Sequence, residues 1–238
     1  MKYLGGKNNI GKEIAEFLNA HYTDDSDAYL EPFAGSLGVF KFMTNGEKPC
    51  IANDIQPDII QLWKELQDGT LQIPNTFSET EYKQAKVMTS PSSLKAIAGF
   101  GLSFGGKWFG GYAQKSAGNS GRNYLSEFKN SIEPIRKAIQ KNNVFFNSKS
   151  YLEFEPHNML IYCDPPYART QGYSTGNFDN ELFWNTMREW SKTNIVFISE
   201  QTAPDDFEIV WSKPKLRTLQ SKNRLIVQEN MYKITPYK

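Results

Sequence analysis

Met159-Leu160-Ile161-Tyr162-Cys163-Asp164-Pro165-Pro166-Tyr167 decides how this chain is read. Its first five residues are apolar and rich in β-formers, which predicts a buried central strand. An acid follows at once, then two prolines whose φ is fixed and which carry no backbone N–H. The second proline also biases the first away from helical geometry, so the segment is extended and stiff. Beyond the carboxyl end of a strand, such a segment offers a carboxylate, bare carbonyl oxygens and an aromatic face. Open α/β sheets bind their ligands at that edge. An acceptor-rich group beside a flat ring suits a planar base with an exocyclic amine. Asp-Pro alone would mean only a stiff turn; the whole tetrapeptide behind an apolar strand points to a site.

Upstream, Ala28-Tyr29-Leu30-Glu31-Pro32-Phe33 reads as a strand and Ala34-Gly35-Ser36-Leu37-Gly38 as a glycine turn. Val39 to Met43 reads as a helix after that turn. Strand, glycine turn and helix make the start of a nucleotide-type βαβ unit, without the full dinucleotide fingerprint of glycines. Cys50-Ile51-Ala52 is a second strand, ending in Asn53-Asp54. An acid there, about 20 residues beyond the glycine turn, is where a ribose diol is held. Taken alone, Asp54 could equally cap the helix that starts near Pro57; its spacing from Gly35 favours the ribose. Ahead of all this, Lys2 to Lys7 places two glycines before a helical stripe at Ile10, Ile14, Phe17 and Leu18.

From 58 to 142 the pattern turns helical where a plain βαβ sheet would supply its next strand. Ile59 to Leu66, Ser78 to Met88 (with a Ser78/Glu81 capping box), Ser92 to Leu102 and Tyr124 to Ile139 read as helices. Pro134 marks a kink in the last. The postponed strand, Val144-Phe145-Phe146, comes afterwards. Inside the insertion, Phe104-Gly105-Gly106-Lys107-Trp108-Phe109-Gly110-Gly111-Tyr112 interleaves rings, glycines and a lysine, and Lys115 and Arg122 follow in a polar stretch. Lysine and arginine meet phosphates and rings stack on bases; Trp108 and Phe109 could equally pack into the helical domain. After Tyr167, residues 168–180 read as a polar lid, and Phe183 to Ser191 as a helix. Ile195 to Ile198 reads as a strand. Phe207 to Trp211 and Leu225 to Glu229 form a terminal strand pair, joined by a basic loop with Lys213, Lys215, Arg217, Lys222 and Arg224.

With 238 residues the chain suits one α/β domain, or one carrying a sizeable insertion. A net charge of +1 gives no global basic field, so any surface for nucleic acid is local. Cys50 and Cys163 sit in strand-like runs and read as buried, reduced residues. The two histidines have no metal-ligand spacing, and no signal peptide or membrane-length apolar run is present. These features predict a cytoplasmic protein without structural metal.

Together, Tyr3 to Lys7, Glu31 to Gly35, Asn53-Asp54, Phe104 to Phe109 and Asp164 to Tyr167 resemble, in that order, the Dam-like DNA adenine-N6 methyltransferases. The resemblance covers most of the chain. It implies an α/β fold with a Rossmann-like S-adenosylmethionine-dependent methyltransferase sheet and a C-terminal β-hairpin. Residues 1–57 and 143–238 would be catalytic, and 58–142 an inserted helical target-recognition domain. Tyr3, Gly6, Lys7, Glu31, Phe33, Gly35, Asp54 and Asp164 match cofactor positions. Asp164, Pro165, Pro166 and Tyr167 match the catalytic motif, with Tyr167 stacking on the target base. Lys107, Trp108, Lys115 and Arg122 would meet DNA. One departure stands out: Leu37 takes a position that is often glycine in the family, so it is not counted as a ligand. The implied partner is double-stranded DNA in a prokaryotic or virus-infected cell, in a setting such as restriction–modification, without membrane or metal. Self-association is left open, a monomer included.

The resemblance fits the chemistry of the residues. Adenine N6 is a weak nucleophile; Asp164 and the Pro165 carbonyl would accept its hydrogens, and the base must first leave the helix. Rival readings are a cytosine-N4 methyltransferase, whose families carry serine in place of the aspartate, a catalytically idle DNA-binding relative, and a nucleotide-dependent oxidoreductase.

Overall fold

The computed structural model describes residues 1–44, 46–113, 122–166, 178–219 and 223–235. Its centre is a seven-stranded sheet: β1 (Ala28–Glu31), β2 (Pro49–Asn53), β3 (Asn143–Asn147), β4 (Met159–Cys163), β5 (Ile195–Glu200), β6 (Phe207–Leu219) and β7 (Asn223–Ile234). They lie in the order β3-β2-β1-β4-β5-β7-β6. The first five are parallel, and β7 runs antiparallel to both β5 and β6. This is a Rossmann-like sheet with a terminal hairpin. Parallel strands covered on both faces are apolar throughout rather than alternating, and every residue of β1 is buried.

Strand order reverses between β1 and β4, which pair with Leu30 beside Ile161. A crevice opens at such a switch point beyond the carboxyl ends of the strands. Glu31, at the end of β1, and Asp164, just past β4, leave the sheet at that edge.

Among the described residues there are six α-helices: α1 (Gly11–Ala20), α2 (Pro57–Asp68), α3 (Glu79–Lys86), α4 (Ser93–Ala96), α5 (Tyr124–Lys141) and α6 (Asn180–Trp190). Their ends follow local chemistry. Proline opens α2 and Gly69, at φ 73°, closes it in the left-handed conformation. Ser78 and Glu81 form the expected capping box on α3. Pro134 lies inside α5, and α4 continues directly into a π-helical turn at Ile97–Gly101. One apolar core joins sheet residues Tyr29, Leu160 and Tyr162 to Tyr82, Ile97, Phe100 and Phe128 of the helical stretch. A second core, with Ile161, Cys163, Phe183 and Met187, packs α6 against the opposite face.

Two local expectations are corrected. The helix expected at Val39 to Met43 is only a 3₁₀ turn, Phe40–Phe42. Leu37 there is fully buried at φ 55°. Helix α1 covers the turn so closely that a Cβ on Gly11 would stand 2.1 Å from the Gly38 carbonyl oxygen. The basic loop is strand instead: β6 and β7 pair as far as Leu219 and Asn223, so Lys213, Lys215, Arg217 and Arg224 lie on the ribbon itself. Polar residues on a two-stranded ribbon give no alternation signal, because neither face needs to be apolar. Tyr167, residues 168–177 of the expected lid over 168–180, Lys115 and Lys222 lie outside the described residues, while Asp179 caps α6 and Asn180 opens it.

Candidate active site

Three strand ends are tied together before the site begins. Asn53 Nδ2 donates to the carbonyls of Pro32 and Lys149, each at 3.0 Å, and its Oδ1 accepts the Lys149 N–H at 3.1 Å. Next to it, Asp54 shapes the glycine turn. Its Oδ2 accepts the Gly35 N–H and its Oδ1 the Gln56 N–H, both at 2.9 Å. The cap of α2 is Gln56, not Asp54. Gly35 sits at φ 45°, and a Cβ there would lie 3.0 Å from the Tyr3 ring. Only glycine lets the tyrosine cover the turn at this distance.

The N-terminal segment then runs across the mouth of the sheet, fixed by a bond from the Leu4 N–H to the Gly106 carbonyl of 3.1 Å. It delivers Lys7, only 2% exposed, between two carboxylates. Lys7 Nζ is 2.5 Å from Asp164 Oδ1 and 3.1 Å from Glu229 Oε1 on β7. Burial pulls the lysine pKa down, but the charges of Asp164 and Glu229 outweigh it and hold it above its ordinary value. Nearby, burial pushes the Glu31 carboxyl up to about 8, although the Tyr29 hydroxyl donates to it at 2.6 Å. Burial also raises Asp54 to about 6 and Glu200, on β5, to about 7. Glu31, Asp54 and Glu200 are thus carboxyls that burial makes reluctant to ionise.

Of the expected cofactor positions, Tyr3, Gly6, Lys7, Glu31, Phe33, Gly35, Asp54 and Asp164 all line one pocket, as do Pro165 and Pro166 of the expected catalytic motif. The expected DNA contacts are dispersed. Lys107 is exposed, while Trp108 is half-buried and lines the same pocket. Arg122 is held by Glu127 through two bonds of 2.8 Å. Sequence reasoning passed over Glu229, Glu200, Phe100 and Ile55. Glu229 was findable: counting by twos along β7 puts it on the same face as the core residue Met231.

Residues 3–92 and 112–234 match the sequence profile described as D12 class N6 adenine-specific DNA methyltransferase. The chain belongs to this family. A DNA adenine methylase of Haemophilus influenzae is 26% identical over 205 residues, 76% of this chain and 68% of the relative. Two solved structures are similar at low identity. A candidate RNA methyltransferase from Pyrococcus horikoshii is 9% identical with a TM-score of 0.43, covering 95% of this chain and 84% of the other. A candidate methylase from Haemophilus influenzae is 10% identical with a TM-score of 0.36, covering 96% and 90%. As a DNA adenine methyltransferase, the protein takes DNA as substrate and needs a methyl donor. Among the described residues, no helix is long and apolar enough to cross a membrane and no cluster of His, Cys, Asp or Glu could hold a metal.

Proposed function

We propose that this methyltransferase transfers the methyl group of S-adenosylmethionine to N6 of an adenine flipped out of double-stranded DNA. The observation that carries this reading is the placing of Asp164 and Pro165 in one pocket with Asp54 and Glu31. Asp54 offers a buried carboxylate to a ribose diol, and Glu31 offers one to an ammonium group. Both carboxyls, raised by burial to about 6 and about 8, are relieved by polar or cationic partners. When bound, S-adenosylmethionine supplies an electrophilic methyl group on a sulfonium centre.

The chain's own residues do the rest. Lys7, bonded to Asp164 Oδ1, holds this carboxylate in one orientation. Asp164 and the Pro165 carbonyl accept the two N6 hydrogens, which localises the nitrogen lone pair and aims it. Asp164 keeps 20% of its side chain exposed, so the proton lost from N6 passes through its carboxylate to solvent. Flipping costs a few kcal/mol of unstacking, and stacking on Tyr167 offsets about 1–3 kcal/mol of it. Residues 58–142 take the role of target recognition, with exposed Lys107 as a phosphate contact.

The test is transfer of labelled methyl from S-adenosylmethionine to duplexes containing adenine against duplexes whose only exocyclic amines are on cytosine and guanine. Label on adenine N6, lost in Asp164→Ala while cofactor binding partly survives, supports the reading. Label on cytosine, or full turnover by Asp164→Ala, overturns it.

A further inference from the structure

Trp108 stands between two crevices. One is the pocket that reaches from Asp54 to Asp164. The other opens behind it, with Pro57, Thr89, Pro91 and Lys95 in its walls. Ile55 and Gln56, the residues directly after Asp54, line both, as Trp108 does. The indole therefore lies at the Asp54 end of the pocket. Ile55, which lines both crevices with it, is 53% exposed, a large apolar side chain just past the end of β2.

The position of Trp108 is built rather than incidental. Its ring centroid lies 4.6 Å from that of Phe100, which in turn lies 4.7 Å from Tyr3. The π-helical turn brings Gly99 so close that a Cβ there would stand 2.4 Å from indole Cζ3. Phe109, in the left-handed region at φ 44°, donates its N–H to the Gly99 carbonyl at 2.9 Å and closes the seat. π-turns of this kind often mark functional positions. The family profile skips residues 93–111, the segment that carries the whole seat.

We propose that Trp108 is a donor-binding residue, its indole and Ile55 forming the two walls of the slot that takes the heteroaromatic base of the methyl donor. This rests on the reading of the pocket as the S-adenosylmethionine site. A base joined to a ribose held by Asp54 lies within one ring's reach of that carboxylate, which is where Trp108 and Ile55 face the pocket. A target base approaching Asp164 enters at the other end. Trp108 is thereby assigned to the cofactor and not to DNA, while its neighbour Lys107 keeps its exposed ammonium for phosphate.

The experiment is titration with S-adenosylhomocysteine, read by calorimetry and by intrinsic fluorescence, since Trp108 is one of five tryptophans. Trp108→Ala is expected to weaken binding about ten-fold. Trp108→Phe is expected to keep binding within about three-fold while losing most of the fluorescence change. Should Trp108→Ala lose its folded circular dichroism spectrum, Trp108→Leu carries the same comparison. Unchanged affinity in Trp108→Ala or Trp108→Leu, or a fluorescence change retained by Trp108→Phe, overturns the assignment and leaves the pocket reading standing. Failure of the unmodified protein to bind S-adenosylhomocysteine overturns the pocket reading itself.

Discussion

Lys7 Nζ and Asp164 Oδ1 stand 2.5 Å apart although 157 residues separate them in the chain. The pair joins the N-terminal segment to the end of β4, where the Asp164-Pro165-Pro166 segment begins. Glu229 Oε1, 3.1 Å from the same ammonium, brings in the antiparallel strand β7. One buried cation thus fastens three parts of the sheet edge. It also divides its charge between two carboxylates, which leaves Asp164 able to accept hydrogens from an incoming amine.

Lys7→Met should therefore be costly in stability as well as activity. Removing the cation leaves the buried Glu229 and the largely buried Asp164 carboxylates uncompensated, and breaking a buried pair in this way costs about 3–5 kcal/mol. For a chain of this size that is a fall in Tm of roughly 10 °C. Adding Glu229→Gln to Lys7→Met should restore part of the loss, because one uncompensated charge disappears. A double-mutant cycle by chemical denaturation reads the coupling, expected to exceed about 1 kcal/mol. Strictly additive losses would show that the two residues act independently.

The raised carboxyls fix the sign of the pH response. Glu31, near 8 against an ordinary 4.5, and Asp54, near 6 against 3.8, hold protons more tightly in the fold than in the unfolded chain. Without ligand, their stabilising contribution is complete below about pH 4 and is lost as pH rises through about 6 and then about 8. A cation beside Glu31 and a diol on Asp54 both favour the charged carboxylates. Binding of S-adenosylhomocysteine should consequently tighten from pH 5.5 to 8.5 with release of protons. Calorimetry in two buffers of different ionisation enthalpy measures that release; proton uptake on binding would contradict the assigned roles.

How far the residues could be read without coordinates depended on where the signal was local. Met159 to Cys163 and Ile195 to Ile198 are strands in the structure because apolar β-formers can be buried on both sides. Asp164 follows the first of them into the pocket as expected. Lys7 could be placed at the pocket only through resemblance; its partner Glu229 is 222 positions away, and no local pattern encodes that meeting. The ribbon of β6 and β7 was underestimated for a different reason. Its outer part is held by main-chain pairing, Lys215 to Val227 and Arg217 to Leu225, and main-chain bonds leave no trace in side-chain polarity. Trp108 lay open between two readings because its surroundings are assembled from the π-turn, the N-terminal segment and the end of β2.

Leu37 tests whether backbone comfort or packing governs the glycine turn. It is fully buried yet adopts φ 55°, a conformation that costs a branched side chain about 1–3 kcal/mol. Leu37→Gly removes that strain but empties a core position, and loss of a buried leucine side chain costs about 2–5 kcal/mol. The added freedom of glycine in the unfolded chain costs up to about 1 kcal/mol more. Packing wins, so the variant should be less stable by about 1–3 kcal/mol. An increase in Tm would mean that the side chain contributes little to the core.

Gly105 and Gly106 separate strain from collision at neighbouring positions. Both have positive φ, 62° and 69°. A Cβ on Gly105 would meet nothing within 4 Å, whereas one on Gly106 would lie 2.4 Å from the Tyr3 nitrogen and 2.5 Å from the Lys2 carbonyl carbon. Gly105→Ala should cost only the left-handed penalty, about 1 kcal/mol. Gly106→Ala adds an overpacking cost of about 1–3 kcal/mol and must push the N-terminal segment off the loop that carries Trp108. Tyr3 and Lys7 move with that segment, so the second variant should also bind S-adenosylhomocysteine at least five-fold more weakly, roughly 1 kcal/mol. Thermal melts and calorimetry on the pair are sufficient. If the two alanines behave alike, the contact between Gly106 and Tyr3 does not hold the N-terminal segment over the pocket.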